Sequence, residues 1–146
     1  MTTPLLRALT ERHGLPMVDA DSIDAFLTNP QAETVHSLLF FAGDPDQRTE
    51  THDVAAILPE ILRAFGGRLR GALLAPQAEA ELKGRFHVYV FPSLAICRGA
   101  EAVAVLPKIQ DWSDYRAKIE AALDPAAPVL AASKGPKVEF TRSQGA

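Results

Sequence analysis

The sequence predicts an α/β fold, a three-layer sandwich on a mixed parallel and antiparallel sheet. Three observations carry the prediction. Helical and strand periodicities alternate along most of the chain. Residues 35–42 (VHSLLFFA) form a nearly continuous apolar run, which suits a central strand buried on both faces. Late in the chain two strand-like runs follow each other across Gly99-Ala100, as in a hairpin.

Each element has its own reason. From Pro4 to His13, Leu5, Leu6 and Leu9 recur at helical spacing and Gly14 stops the run. Residues 16–19 (PMVD) are a short strand candidate. Asp21-Ser22 can open a short helix carrying Ile23, Phe26 and Leu27, ended near Asn29-Pro30. The central strand follows, and 43–51 is polar and turn-rich. From His52 to Phe65 a helical stripe of Val54, Leu58, Ile61 and Phe65 is interrupted by Pro59, which removes a backbone donor and predicts a kink. Gly66-Gly67 ends that helix. Residues 69–75 read as a second buried strand and 78–86 as a short helix. Residues 88–92 (VYVFP) lead into a strand over 93–98, with its hairpin partner over 102–106. Asp111 or Ser113 caps a last helix bearing Tyr115, Ile119 and Leu123, with Trp112 and Tyr115 expected to anchor it. The folded unit is expected over residues 1–124. Residues 125–146 are rich in Ala, Pro, Gly and Ser, and Lys134, Lys137 and Arg142 outnumber Glu139 there. That composition predicts a mostly disordered tail.

Composition excludes several functions. The 146 residues carry a net charge of −3, so there is no nucleic-acid signature. No apolar run approaches the roughly 20 residues needed to cross a bilayer, so membrane insertion is not expected. The opening MTTPLLRALTERHG has charges inside its apolar pattern and does not read as a signal peptide. The single cysteine, Cys97, excludes an internal disulfide, a multi-thiolate zinc site and a two-cysteine redox centre. His13, His36, His52 and His87 lie on separate elements with no ligand spacing, so no metal is expected, and no motif calls for a cofactor. A cytoplasmic protein is the simplest reading.

Certain stretches resemble the thioredoxin fold. LLFFA at 38–42 is similar to the central strand that precedes the thioredoxin active site. ILPEIL at 57–62 is similar to its kinked helix. FPSLAICRGAEAVAVL at 91–106 is similar to the strand opened by a cis-proline, then a turn and the closing strand. The likeness covers about residues 16–123 and implies a cis peptide before Pro92. Counted back from Pro59, the positions matching Cys-x-x-Cys are Thr51-His52-Asp53-Val54, and neither end is cysteine. The proton-accepting acid of thioredoxins would fall near Leu39, which cannot titrate. Dithiol exchange needs an attacking thiolate and a resolving thiol, so that reaction is excluded.

A thioredoxin-like domain without these cysteines, with an extra N-terminal helix and an acidic loop, resembles the hydrogenase expression/formation proteins of the HyaE/HupG family. FFAGDP at 40–45 and PKIQDWSDY at 107–115 add to the likeness. The resemblance implies a non-enzymatic cytoplasmic chaperone for [NiFe] uptake hydrogenase maturation. Its partner would be the hydrogenase small-subunit precursor, gripped by its twin-arginine signal peptide before export.

The residues can support that chemistry. Asp44, Asp46, Glu50, Asp53 and Glu60 crowd residues 44–60 against a single Arg48. A carboxylate can accept two parallel hydrogen bonds from a guanidinium. Acids at a loop and helix start are also favoured there without any ligand. The resemblance implies that the backbone at Phe91 is open to an extended peptide, with Phe91 and Pro92 giving apolar contact. The candidate peptide-binding residues are therefore Asp44, Asp46, Glu50, His52, Asp53, Phe91 and Pro92. Two alternatives stay open: an interaction domain for a different protein, and a one-cysteine thiol enzyme using Cys97, which requires a lowered thiolate pKa and solvent access.

Overall fold

The computed structural model describes residues 4–28, 35–44 and 46–130. Among the described residues the α-helices and β-strands follow in the predicted order: α1 (Pro4–Glu11), β1 (Met17–Val18), α2 (Ile23–Thr28), β2 (His36–Phe41), α3 (Thr49–Phe65), β3 (Leu69–Leu74), α4 (Pro76–Leu82), β4 (Ser93–Arg98), β5 (Glu101–Pro107) and α5 (Trp112–Leu123), with a 3-10 turn at Gly66–Arg68 between α3 and β3. The strands form one sheet in the order β1-β3-β2-β4-β5. The β1–β3 and β3–β2 pairs are parallel, and β2–β4 and β4–β5 are antiparallel. This is the thioredoxin-like three-layer sandwich, without the Cys-x-x-Cys motif.

The apolar run of β2 explains the layering, because successive side chains of a strand point to opposite faces. Leu38 and Phe40 enter one core with Leu6, Leu9, Val54, Leu58, Ile61 and Ile119, from α1, α3 and α5. Leu39 and Phe41 enter the other with Ile23, Leu27, Ala78 and Leu82, from α2 and α4. All four β2 side chains are fully buried. Burial of each such side chain contributes about 1.5–3 kcal/mol, so this one strand ties both layers together.

Local chemistry sets the element ends. Helix α3 runs through Pro59 and begins at Thr49, three residues before the predicted start, with Arg48 as its extended N-cap. Helix α4 begins at Pro76 and ends at Leu82, earlier at both ends than the pattern suggests. Pro76 accounts for the start, since its fixed φ suits a first helical position that needs no N–H. Phe86 and Val88 still reach the core beyond the helix end, on a turn in which Val88 N donates to Lys83 O (2.8 Å). In the hairpin, Cys97 faces Ala102 while Ile96 faces Ala104, so Val103 is the extra residue of a bulge. That bulge lets both Val103 and Ala104 pack against the α1/α3/α5 core.

After α5 the chain turns back over the sheet. Arg98 Nη1 donates to Ala127 O (2.7 Å) and Leu130 N to Ala102 O (2.8 Å). The sequence places the domain end at 124; residues 125–130 continue against β4 and β5. The rest of the expected tail, 131–146, lies outside the described residues, as does the expected α2 stop at Asn29-Pro30.

Candidate functional site

The parallel strands β1, β3 and β2 all end at one edge of the sheet, and there β2 hands over to α3. Leaving the ladder at residues 42–43 exposes backbone groups that need partners. Two buried side chains supply them. Thr51 Oγ1 donates to Ala42 O (2.6 Å), and Glu79 Oε2 accepts from Ala42 N (2.7 Å) and Gly43 N (3.2 Å). Thr51 stands at the first position of the lost dithiol motif, and Val54 at its last position is wholly buried in the core. Both ends of that quartet are thus structural.

Gly43 adopts φ +74, a left-handed conformation that glycine takes without penalty. A Cβ added there would sit 2.7 Å from Phe91 Cβ and 3.2 Å from Arg48 Cδ. The acidic loop therefore abuts the Phe91–Pro92 bend. The Phe91–Pro92 peptide is cis. Pro92 is buried and its carbonyl accepts from Lys108 N (2.7 Å). Phe91 is half-buried, and its own N–H and C=O make no hydrogen bond among the described residues. The Arg48 guanidinium lies 5.8 Å from the Phe91 ring centroid, within cation–π range.

The predicted carboxylates separate into distinct environments. Asp44 and Asp46 are exposed on the loop. Asp44 Oδ1 accepts from Asp46 N (2.9 Å), and Asp44 O accepts from Gln47 N and Arg48 N, an Asx-type turn that holds the loop in shape. Glu50 is committed elsewhere: Lys108 Nζ lies 3.3 Å from its Oε1. His52 is half-buried in the first turns of α3, and Asp53 beside it is exposed.

Three features escaped the sequence. The first is Glu79, only 8% exposed, whose carboxyl pKa is raised by burial against the opposing pull of the Gly43 and Ala42 N–H groups and Arg48. Its one sequence signal is its place three residues before buried Leu82, on the same helix face. The second is a cavity of about 360 Å³ beside the loop, into which Glu79, Asp44 and Asp46 all open. The third is exposed apolar surface on the two segments that meet where Lys108 N bonds Pro92 O. Tyr89 (69% exposed) and Val90 precede Pro92, and Ile109 and Trp112 follow Lys108. Trp112 thus departs from its expected anchoring role. Tyr115 alone fulfils it, buried and donating its hydroxyl to Lys108 O (3.1 Å). Cys97 is fully buried, and desolvation pushes its thiol up to about 12. That is the reverse of what a thiolate nucleophile needs, so the one-cysteine enzyme reading loses its residue.

Comparison with known proteins agrees with this architecture. Residues 5–115 match the family model described as "Hydrogenase-1 expression protein HyaE". The chain belongs to the HyaE family. It is 51% identical over 143 residues to the hydrogenase expression/formation protein HupG of Rhizobium leguminosarum bv. viciae, covering 98% of this chain and 96% of that one. It is 40% identical to HoxO of Azotobacter vinelandii, named in the same way, with 92% of each chain covered. A crystal structure titled as a HupG hydrogenase expression/formation protein, from Rhodopseudomonas palustris CGA009, is 42% identical with a TM-score of 0.53, covering 74% of this chain and 94% of that one. Among the described residues of this HyaE-family chain, no helix is long and apolar enough to cross a membrane.

Proposed function

We propose that this HyaE-family protein serves [NiFe] hydrogenase formation as a non-enzymatic cytoplasmic chaperone, binding the twin-arginine signal peptide of the small-subunit precursor before export. The observation that carries the reading is the contact of Gly43 with Phe91, which sets a loop of exposed carboxylates against a backbone strand end whose N–H and C=O groups are unused among the described residues. An extended peptide hydrogen-bonds to Phe91 as an added strand would. Asp44 and Asp46 attract its arginines, with His52 and Asp53 flanking and Glu50 held back by Lys108. The apolar stretch that follows the arginines lies along Phe91, Pro92, Tyr89 and Trp112. Burial of Cys97 favours holding over chemistry.

The test is capture of the hydrogenase small-subunit precursor by the full chain, with and without its signal peptide. Capture should need the signal peptide and weaken as salt rises, because exposed charge attraction is screened. Reversing Asp44, Asp46 and Asp53 to lysine together should cost at least about tenfold in affinity, roughly 1.4 kcal/mol. Equal capture of the leaderless subunit, or unchanged affinity in the triple variant, overturns the reading.

A further inference from the structure

We infer that the cavity beside the β2–α3 loop seats a single arginine side chain, its stem in an apolar sleeve and its guanidinium on Glu79. The inference rests on the signal-peptide reading for the source of that arginine and assigns a specific place to it. The cavity lies where β1, β2 and β3 end, the edge at which open α/β sheets commonly bind ligands. Its walls include Leu6, Met17, Leu73 and Leu74, an apolar surface suited to a chain of methylenes.

The polar part is built, not incidental. Glu79 is more than nine-tenths buried yet lines the cavity. Both of its hydrogen bonds fall on Oε2, and Oε1 accepts none among the described residues. Oε1 is open to the cavity rather than sealed in the core, so a guanidinium that enters meets a free acceptor at the end of a side chain whose other oxygen is already fixed. Asp44 and Asp46 stand at the same cavity, and none of the three carboxylates forms an ion pair among the described residues. Arg48, the cation that influences Glu79, lies over the Phe91 ring instead.

The ligand class follows from charge and spacing. Three carboxylates repel a phosphate or any other anion. No group of three His, Cys, Asp or Glu among the described residues is arranged to hold a metal ion, so a bare cation fits poorly. A guanidinium spreads its charge over a planar fork with five donors and can reach Glu79 and a rim aspartate at once.

A two-armed experiment on the full chain decides this. In the first arm, N-acetyl-argininamide is titrated against the ¹⁵N-labelled protein. Saturable shifts are expected at the Ala42 and Gly43 amides, which Glu79 holds, with a Kd on the order of 1 mM. The neutral isostere N-acetyl-citrullinamide should leave them still. Glu79→Gln should weaken binding at least tenfold, and Asp46→Asn several-fold. The citrulline control and the exposed Asp46 variant keep the test valid even if Glu79→Gln folds poorly. Absence of shifts with argininamide, or equal shifts with citrullinamide, overturns the inference. In the second arm, the signal peptide is titrated with each arginine in turn replaced by citrulline, and one of the two should matter most. If the peptide binds wild type and Glu79→Gln alike, the cavity is not the seat although the signal-peptide reading stands. If argininamide binds but the peptide does not, the cavity stands and that reading falls.

Discussion

Gly43 divides the candidate site into two unlike halves. On its β3 side lies the cavity, with carboxylates that have no cationic partner among the described residues and a buried acid, Glu79, at its lining. On its β4 side lies the Phe91–Pro92 bend, where Glu50 is already paired with Lys108 and the flanking segments expose Tyr89, Val90, Ile109 and Trp112. One half holds acids without an ion pair among the described residues, and the other has its acid paired and adds apolar surface. A ligand carrying arginine next to an apolar stretch matches both halves in one pose. A uniformly acidic groove would instead favour any basic peptide.

The largest test of this division is to remove the glycine that joins the halves. Gly43→Ala must hold a Cβ 2.7 Å from Phe91 Cβ at φ +74. The left-handed backbone costs roughly 1–2 kcal/mol for a residue with a side chain, and overpacking adds about 1–3 kcal/mol. Urea denaturation should report a loss of about 2–5 kcal/mol, with argininamide and apolar peptide binding weakened together. Loss of only one kind of binding would mean that the halves do not share Gly43 as their hinge point.

The two halves also differ in how far they were legible. The element order was readable because each element carries its own periodicity, as the β2 run and the α3 stripe illustrate. The Phe91–Pro92 bend was readable through its likeness to a known strand start. The cavity was not, because it exists only where segments distant in sequence converge: Glu79 meets Ala42 across 37 residues. A carboxylate on a short helix looks solvent-bound until the end of β2 is placed over it. Trp112 failed for a related reason. It is in phase with Tyr115 and Ile119, but it is the first residue of α5, a turn ahead of the buried stripe.

An intermediate effect is expected at Glu79 itself, read as stability. Burial raises its folded-state pKa above the 4.5 of an ordinary glutamate. A group raised in this way contributes its stability below the unfolded value and loses it as pH rises through the folded value. Wild type should therefore be least favoured, relative to Glu79→Gln, near neutral pH and above. Gln keeps an acceptor for the Ala42 and Gly43 N–H groups and removes the buried charge. Thermal melts should place Glu79→Gln at or above wild type at pH 8, with the gap closing toward pH 4.5. A variant that is more stable and yet binds argininamide more weakly would show stability being given up for recognition. Equal pH profiles would mean that the Glu79 charge carries no cost, and the contrast with the other half would lose its basis.

The smallest effect is expected at Glu50, the acid that the β4 side has already neutralised. Its pair with Lys108 is 3.3 Å long, and the two side chains are 36% and 52% exposed. Such pairs are worth roughly 0–1 kcal/mol and are screened by salt. Glu50→Gln should shift the urea midpoint by less than about 0.5 kcal/mol equivalent, since the amide can still accept weakly from Ile109 N. Signal-peptide affinity should change less than in Asp46→Asn, although both variants remove one charge from the same 44–60 segment. The two substitutions match in formal charge and differ in whether a cation already sits on the carboxylate. If Glu50→Gln weakened the peptide more than Asp46→Asn, the arginines would be read on the Pro92 side after all, with Lys108 displaced on binding, and the assignment of charge to one half and apolar contact to the other would be reversed.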